Sequence, residues 1–301
     1  MSVVLLSGGT GGAKLARGLY ELLGAELTVI ANTGDDIEIH GAYVSPDPDL
    51  VTYWLADRID DRGWGIAGDT FAAMEMLREL GTDVWFALGD RDLAFCLERR
   101  RLLDAGASLS DAHAQLTSAL GVSAHVVPMS DDRVRTTVRS GTVTLSLQQF
   151  LIKEHGAAPI DDVHFEGAAD AGAAPAALAA LETARAIVIG PSNPIISIGP
   201  ILAVGPLRRA IENSNAPVIA ISPIVGGAVL KGPTAACLGW AGESADAAGI
   251  ARVYDGLLDA IVADEPVEGL RSLACNTLMD GAPARLRLAA QTLELARMLS
   301  G

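Results

Sequence analysis

The sequence predicts an α/β protein with a Rossmann-like, mostly parallel sheet and helices on both of its faces. An apolar run at residues 3–6 stops at the glycine-rich turn 8–12, and an amphipathic pattern that includes Leu15 and Leu19 follows. This order is typical of a buried strand, a tight turn and a helix. A second apolar run at 27–31 completes a strand–helix–strand unit.

Later segments continue the alternation of strands and helices. Further strands are expected at 84–88, 163–165, 186–189 and 218–221, and a β-hairpin at 134–147 with its turn at Ser140-Gly141. Helices are expected from Asp49 onward and at 69–80, 92–105, 110–120, 245–254 and 283–299, and a loop passing into a helix at 168–180. We interpret residues 1–301 as one nucleotide-binding domain, with 90–165 inserted between the halves of its sheet.

The composition excludes several kinds of partner. The chain has 301 residues, half of them hydrophobic, and a formal net charge of −15, which argues against binding to nucleic acid or to an anionic membrane. No membrane span is expected, because prolines and polar residues interrupt the longest uncharged stretch, 186–207. No signal peptide is expected either. Three widely spaced cysteines, Cys96, Cys237 and Cys275, fit a cytoplasmic protein in which they are small buried residues.

The glycine-rich turn is a candidate phosphate site. A helix that starts at such a turn presents free N–H groups and a partial positive charge to an anion, and glycines allow close approach. The turn fits neither common motif, because Ala13-Lys14-Leu15 replaces the Gly-Lys-Ser/Thr of a P-loop and the G-x-G-x-x-G spacing is absent. A tight turn with no ligand is the alternative.

Two acidic loops are the main metal candidate. Asn32-Thr33-Gly34-Asp35-Asp36 follows the second predicted strand, and Ser45-Pro46-Asp47-Pro48-Asp49 comes soon after. The carboxyl ends of parallel strands are where ligands bind in such sheets, and carboxylates suit Mg²⁺ or Ca²⁺. The alternative, turn formation and helix capping, is favoured for Asp36 and Asp47.

Three further segments have two possible interpretations. Gly89-Asp90-Arg91-Asp92 follows the predicted strand 84–88, so Arg91 can reach a phosphate or remain solvated beside a capping aspartate. The proline-rich loop 190–200 is rigid, and its Asn193 can read the edge of a base. The turn Ser222–Gly227, with Lys231 nearby, is either a second phosphate loop or a plain turn. His113 is expected at the surface.

Together these loops resemble the 2-phospho-L-lactate transferase family of deazaflavin coenzyme biosynthesis, called CofD. Seven blocks occur in the family's order over most of the chain: Gly8-Gly9-Thr10-Gly11-Gly12-Ala13-Lys14-Leu15, Asn32-Thr33-Gly34-Asp35-Asp36, Ser45-Pro46-Asp47-Pro48-Asp49, Gly89-Asp90-Arg91-Asp92, Pro191-Ser192-Asn193-Pro194, Ser197-Ile198-Gly199-Pro200-Ile201-Leu202 and Ser222-Pro223-Ile224-Val225-Gly226-Gly227. Each block is weak alone, and the ordered set is specific. Leu50 stands where the family usually has Thr.

The resemblance implies a reaction of coenzyme F-420 biosynthesis in the cytoplasm. The terminal ribityl hydroxyl of the deazaflavin Fo attacks the phosphorus that carries a three-carbon acid in a guanosine diphosphate donor, and GMP leaves. A homodimer is also implied. The resemblance assigns Mg²⁺ to Asp35 and Asp49, which are also the catalytic candidates. The implied nucleotide-binding residues are Gly9, Thr10, Gly11, Gly12, Lys14, Ser192, Asn193, Ser197 and Gly199. Asn32, Asp36 and Arg91 are candidates for contacts to the acceptor or to phosphate.

Two other functions compete with this one. A nucleotide-sugar-binding regulator of the gluconeogenesis-factor type shares the N-terminal strand–turn–helix, but it would not need paired acidic loops for an in-line metal site. A Rossmann oxidoreductase is disfavoured by the missing G-x-G-x-x-G spacing. The three-carbon acid is open between phospholactyl, phosphoenolpyruvyl and phosphoglyceryl groups.

Overall fold

The computed structural model describes residues 1–300. Its strands, in chain order, are β1 (Val3–Ser7), β2 (Leu27–Ala31), β3 (Ile37–Ile39), β4 (Ala42–Val44), β5 (His125–Pro128), β6 (Arg135–Ser140), β7 (Val143–Ser146), β8 (Asp162–Glu166), β9 (Ala186–Ile189), β10 (Val218–Ile221), β11 (Ile224–Val225), β12 (Ala228–Val229), β13 (Ala260–Ala263) and β14 (Ser272–Ala274).

The helices surround these strands. They are α1 (Gly9–Leu23), α2 (Pro46–Leu55), α3 (Ala72–Glu79), α4 (Asp90–Asp104), α5 (Leu109–Ala119), α6 (Pro175–Thr183), α7 (Gly199–Ala203), α8 (Gly205–Glu212), α9 (Thr234–Trp240), α10 (Ala247–Val253) and α11 (Ala282–Ser300). A 3₁₀ turn (Gly24–Glu26) and two π-helical turns (Gln149–Lys153 and Pro194–Ile198) complete the elements.

The predicted fold class is confirmed by a seven-stranded sheet of order β14-β13-β10-β9-β1-β2-β5, in which every pairing is parallel. The chain runs outward from β1 through β2 to β5 and then returns to β9 on the other side of β1. The strand order therefore reverses between β1 and β9. Ligands of open α/β sheets bind at such a point, outside the carboxyl ends of the strands.

The central strands are buried on both faces. Along β1, Val4 and Leu6 pack in one apolar cluster with α6, α7, α8 and α10. Val3 and Leu5 pack in the opposite cluster with α1, α2 and α11. This arrangement explains why β1 is a continuous apolar run rather than an alternating one.

Residues 90–165 supply α4, α5 and most of the antiparallel sheet β7-β6-β8. They also supply β5, which pairs with β2 in the main sheet. Two smaller hairpins, β3–β4 and β11–β12, flank the carboxyl edge of the main sheet.

The strand predicted at 84–88 is absent. These residues form no strand, and Phe86 and Leu88 are buried among apolar side chains near β4, α3 and α4. The sheet position beside β2 is taken by β5, so the run has no strand to pair with. Consequently Gly89-Asp90-Arg91-Asp92 follows a loop and begins α4, instead of following a strand.

Two smaller expectations also differ from the structure. The helix expected from Asp49 begins at Pro46 and ends before Ile59. His113, expected at the surface, is fully buried. Among the cysteines, Cys96 and Cys237 are buried and Cys275 is partly exposed.

Across residues 1–300, no single helix is both long and apolar enough to span a membrane; one pair bent by 90°, Pro194–Ala203 with Gly205–Glu212, passes jointly on length and composition alone.

Candidate active site

The glycine-rich turn after β1 is shaped by the loop after β9. A Cβ added at Gly11 would overlap the carbonyl oxygen of Pro191, and one at Gly8 would lie 2.6 Å from Cβ of Ser197. Gly9 has a φ of +64°, which disfavours residues with a side chain. The glycines are therefore required because two loops of the protein pack tightly against each other.

A carboxylate already occupies the N-terminus of α1. The N–H of Gly9 donates a 2.6 Å hydrogen bond to Asp47 Oδ1, and the N–H of Gly8 donates to Ser192 Oγ at 3.2 Å. The N–H groups in the rest of the first turn have no acceptor within the helix. A bound phosphate would thus lie beside the Asp47 carboxylate.

Asp47 belongs to a buried acidic cluster with Asp35 and Asp36, and Asn32 links two of its members. The Asn32 amide donates to Asp47 Oδ2 at 2.9 Å and to Asp35 Oδ1 at 3.4 Å. Gln148 Nε2 donates to Asp35 Oδ2 at 3.0 Å. The two acidic loops, 32–36 and 45–49, therefore meet the glycine-rich turn through Asn32 and Asp47.

Burial makes this cluster unusually easy to protonate. It raises the pKa of Asp35 well above its ordinary value, and the charges of Asp47 and Asp36 raise it further. Burial also raises the pKa of Asp47 to about 6, although hydrogen bonds from Gly9 and Asn32 oppose it. Carboxylates with raised pKa values beside one another are typical of functional sites.

Asp36 faces a different set of partners. It accepts hydrogen bonds from Ser45 Oγ at 2.7 Å and from Tyr43 Oη at 2.9 Å. Burial raises its pKa to about 7, and the Arg135 guanidinium only partly offsets this. Asp36 is therefore a proton acceptor of near-neutral pKa at the edge of the cluster.

Asp49 points away from Asp35. Its carboxylate forms a bidentate ion pair with the fully buried guanidinium of Arg99, and its Oδ2 is 3.7 Å from the thiol of Cys96. Helical geometry separates residues two positions apart by about 200° around the axis. Asp47 and Asp49 therefore leave α2 on nearly opposite sides.

This geometry bears on the magnesium site. Asp35 and Asp47 offer hard oxygen donors in a buried, negatively charged setting, which fits Mg²⁺. Both oxygens of Asp49 are engaged by Arg99, so Asp47 is the better-placed partner of Asp35. The assignment of Mg²⁺ to Asp35 and Asp49 stays a prediction that no observation here tests.

A second group of possible ligands lies deeper in the fold. Single ligand atoms of Asp49, Asp92 and Cys96 lie within 4.8 Å of one another. The Arg99 guanidinium already neutralises Asp49, and Tyr53 Oη donates to Asp92 at 2.8 Å. This group therefore suits an internal ion pair better than a metal ion.

A cavity of about 480 Å³ opens between the glycine-rich turn and the loops after β9 and β10. Predicted nucleotide-binding residues in its wall are Gly9, Thr10, Gly11, Lys14, Ser192, Asn193 and Ser197. We call it the nucleotide cavity. Gly12 lies outside this wall, against Ser7 and Ser192, and Gly199 packs against Phe165.

The nucleotide cavity has basic side chains in its wall. Lys14 and Lys231 both line it. The pKa of Lys14 is lowered by burial, and further by the charges of Arg285 and Lys231. Three cations this close repel one another and favour an anion between them. The turn 222–227 thus brings Lys231 to the same cavity as the first glycine-rich turn.

Asn193 has a structural task as well. Its Oδ1 accepts hydrogen bonds from the N–H groups of Ile195 at 2.9 Å and Ile196 at 3.1 Å, so it caps the following helical turn. Its Nδ2 is 3.4 Å from Thr234 Oγ1. The predicted contact between Asn193 and a base is therefore limited to the amide edge that faces the cavity.

Arg91 is not brought to the acidic cluster. Its Nη1 donates to the carbonyl oxygen of Ala67 at 3.2 Å, and its backbone N–H donates to Asp69 at 2.9 Å. Asp90 accepts hydrogen bonds from the N–H groups of Ala72 and Ala73 at the start of α3. This turn therefore caps and links two helices.

A second cavity, also of about 480 Å³, lies on the other side of the acidic cluster. We call it the hydroxyl-lined cavity, because Thr136, Thr137, Thr144 and Ser146 are in its wall together with Asp35 and Asp36. Asp47 contacts Gly9, which is in the wall of the nucleotide cavity. Asn32 joins Asp47 to Asp35, which is in the wall of the hydroxyl-lined cavity. The acidic cluster therefore lies between the two cavities.

Sequence reasoning underrated several of these residues. The pattern around Asp47 favours turn formation and helix capping, and Gln148, Arg135 and Arg99 belong to none of the seven blocks that resemble the family. Arg99 left a detectable signal, because it lies on the face of α4 that carries Phe95 and Cys96. A charged residue on a buried helical face requires a partner. Gln148 left no such signal in the sequence.

Comparisons with known proteins identify the family of this chain. A family model described as 2-phospho-L-lactate transferase CofD matches residues 3–275. The chain belongs to the CofD family. It is 40% identical over 265 residues to 2-phospho-L-lactate transferase of Methanosarcina mazei, covering 87% of each chain. It is 38% identical over 317 residues to phosphoenolpyruvate transferase of Kitasatospora aureofaciens, covering 99% of each.

A solved structure supports the fold of this CofD-family transferase. A protein of the upf0052 family from Bacillus halodurans superposes with a TM-score of 0.66 at 16% identity, covering 97% of this chain and 98% of that one. This likeness concerns the α/β fold alone. Family membership and the two transferase relatives confirm the predicted class of activity at the level of a transferase.

Proposed function

We propose that this CofD-family chain transfers a phosphorylated three-carbon acid from a guanosine diphosphate donor to the terminal ribityl hydroxyl of Fo, as a step of coenzyme F-420 formation. One observation carries the proposal: the buried acidic cluster separates a basic cavity from a hydroxyl-lined one. Such an arrangement suits a reaction between a diphosphate and an alcohol. Relatives named for phospholactate and for phosphoenolpyruvate support both acids as candidates.

The donor would occupy the nucleotide cavity. Lys14 and Lys231 would neutralise its diphosphate, and N–H groups of the first turn of α1 would donate to it. Ser192, Asn193 and Ser197 would face the guanosine. This placement puts the phosphorus that carries the acid beside Asp47.

The acceptor would occupy the hydroxyl-lined cavity. Threonine and serine hydroxyls can exchange hydrogen bonds with a ribityl chain, and Ile37, Leu145 and Leu147 in the same wall offer apolar surface to a flat ring. The ribityl end would then meet Asp35. A carboxylate whose pKa is raised by burial is suited to accept a proton near neutral pH.

The transfer forms one bond and breaks another. The ribityl oxygen bonds to the phosphorus that carries the acid, its proton passes to Asp35, and the bond from that phosphorus to the bridging oxygen breaks. GMP leaves with the bridging oxygen, and a phosphodiester remains. Mg²⁺ held at Asp47 would neutralise charge on the diphosphate and leave Asp35 free to accept the proton.

The test is a transfer assay with purified protein, Fo, Mg²⁺ and each of the two guanosine-linked acids in turn. We expect GMP release that requires Fo, and a new phosphodiester of Fo seen by mass spectrometry. Asp35→Asn should lower turnover at least about 100-fold. Asp170→Asn, at an exposed aspartate outside both cavities, is the matched control.

Two results would contradict the proposal. Nucleotide binding without GMP release from either donor would instead favour a nucleotide-binding regulator. Full turnover by Asp35→Asn would remove Asp35 from the reaction.

Sedimentation of the same sample would test the proposed homodimer.

A further inference from the structure

We propose that Arg99 is a positioning residue, which holds the first turn of α2 so that the Asp47 carboxylate stays on the Gly9 N–H and beside Asp35. The contacts themselves are independent of the reaction. Their consequence for turnover rests on the proposed transferase function.

Arg99 is buried at a considerable cost in free energy. Its side chain has no exposed surface, and moving a charged group out of water is costly unless it is paired. The guanidinium is paired with Asp49 and also donates to the Tyr43 carbonyl oxygen at 3.0 Å. Its Nε is buried without a partner. Such a residue is costly for stability alone.

Arg99 contacts α2, which carries Asp47, and β4, whose Tyr43 contacts Asp36. Asp49 lies in the first turn of α2, two residues after Asp47, and Pro46 and Pro48 restrict the backbone there. Fixing the Asp49 side chain on one side of α2 therefore fixes the direction of Asp47 on the other. Tyr43, held through its carbonyl oxygen, donates its own hydroxyl to Asp36 at 2.9 Å.

His113 fixes the guanidinium in turn. Arg99 Nη2 lies 3.3 Å from His113 Nδ1, and a guanidinium can only donate, so Nδ1 is the acceptor. The ring proton is then on Nε2, which donates to Thr52 Oγ1 at 3.1 Å. Thr52 is also in α2 and buried. Thus α4 contacts α2 at Asp49 through Arg99, and α5 contacts α2 at Thr52 through His113.

The experiment must separate positioning from folding. Arg99→Met alone leaves Asp49 buried without its partner and can fail to fold. The double variant Asp49→Val, Arg99→Met replaces both charges with apolar side chains of similar size, a change that is often neutral or stabilising. Arg100→Met is the matched control, because Arg100 is the next residue of α4 and pairs at the surface with Glu38 and Asp104.

The first readout is the amide proton of Gly9 in ¹⁵N-glycine-labelled protein, because this proton is donated to Asp47. We expect its chemical shift to move upfield in the folded double variant and to stay in place in Arg100→Met. The second readout is turnover, which we expect to fall at least 10-fold in kcat in the double variant with an unchanged Kd for GDP.

The outcomes separate the two proposals. An unmoved Gly9 resonance in the folded double variant overturns the positioning role, whatever happens to kcat. A moved resonance with lower kcat and unchanged GDP affinity supports it. If the wild-type chain shows no transfer, the proposed function fails, and the Gly9 resonance alone decides whether Arg99 positions Asp47.

Discussion

The buried acidic cluster and Asp90 place aspartates in opposite environments. In the acidic cluster, Asp35, Asp36 and Asp47 are buried and their pKa values are raised by burial. In the turn 89–92, which we call the helix-linking turn, Asp90 lies near the surface, where hydrogen bonds from the Thr70 hydroxyl and from Ala73 lower its pKa, whereas burial raises the pKa of Asp92 to about 6. Carboxylates that stabilise the fold have donors that favour their charge, and those of the cluster carry a charge that the fold disfavours.

This difference has a direct consequence. A buried, easily protonated carboxylate is destabilising unless something other than the fold compensates it, and a cationic ligand or a transferred proton does so. Removing charge from the cluster should therefore affect activity, whereas removing it from the helix-linking turn should affect stability.

The largest expected effect is that of Asp47→Asn. Turnover should fall at least about 100-fold if Asp47 holds the proposed Mg²⁺, because a metal ion contributes several kcal/mol of charge stabilisation (about that order) to such a reaction. The Tm should change little at pH 7, because Asn removes a buried charge and still accepts from the Gly9 N–H, while its NH2 group loses the hydrogen bond from Asn32. Steady-state assays and thermal unfolding measure the two.

Asp90→Asn is the matched variant in the other region. It should leave kcat unchanged and lower Tm slightly. Equal activity of Asp47→Asn and wild type would mean that the acidic cluster, like Asp90, contributes to stability and not to turnover.

The next effect concerns two glycines, one packed against another loop near the acidic cluster and one at the exposed surface. Gly11→Ala should lower the free energy of unfolding by roughly 1–3 kcal/mol, because the new methyl group overlaps the Pro191 carbonyl. Gly239→Ala is the control: Gly239 is an exposed residue of α9 with no atom near its added Cβ, and the change should stabilise by about 0.5–1 kcal/mol. Urea unfolding measures both. A Gly11 variant as stable as wild type would mean that the loops separate easily.

These contrasts show what the sequence can predict. β1, β2, β9 and β10 were recognisable because strands buried on both faces are continuous apolar runs. Residues 84–88 have the same composition and form no strand, because pairing depends on which segment reaches the sheet edge. β5 reaches the sheet edge, and nothing in the local sequence of β5 or of residues 84–88 shows which of the two segments will pair with β2.

For the site, the two acidic loops meet the glycine-rich turn and the turn 89–92 does not, and the direction of each aspartate depends on where its helix begins. Because α2 starts at Pro46 rather than at Asp49, Asp47 faces the glycine-rich turn and Asp49 faces Arg99. A shift of the helix start by a few residues is enough to exchange their directions. Such boundaries are the least certain part of a sequence-based prediction.

A smaller effect is the dependence of stability on pH. The pKa of Asp36 is about 7 in the folded chain and near 4 when unfolded, so between these values the native state holds a proton that the unfolded state has lost. Its contribution is full below pH 4 and is lost as pH rises through 7. Urea unfolding from pH 4 to 7 in EDTA should show less decline for Asp36→Asn than for wild type. An identical decline would mean that Asp36 is ionised throughout this range.

The smallest effect is that of Asp90→Ala, which tests the other region directly. Loss of a side chain that accepts from two N–H groups at the start of α3 should lower Tm by about 2 °C, and kcat should not change. Thr70→Val removes the hydroxyl donor to the same carboxylate and should act in the same direction. If kcat falls while Tm holds, Asp90 orients Arg91 toward a substrate, and the helix-linking turn belongs to the active site after all.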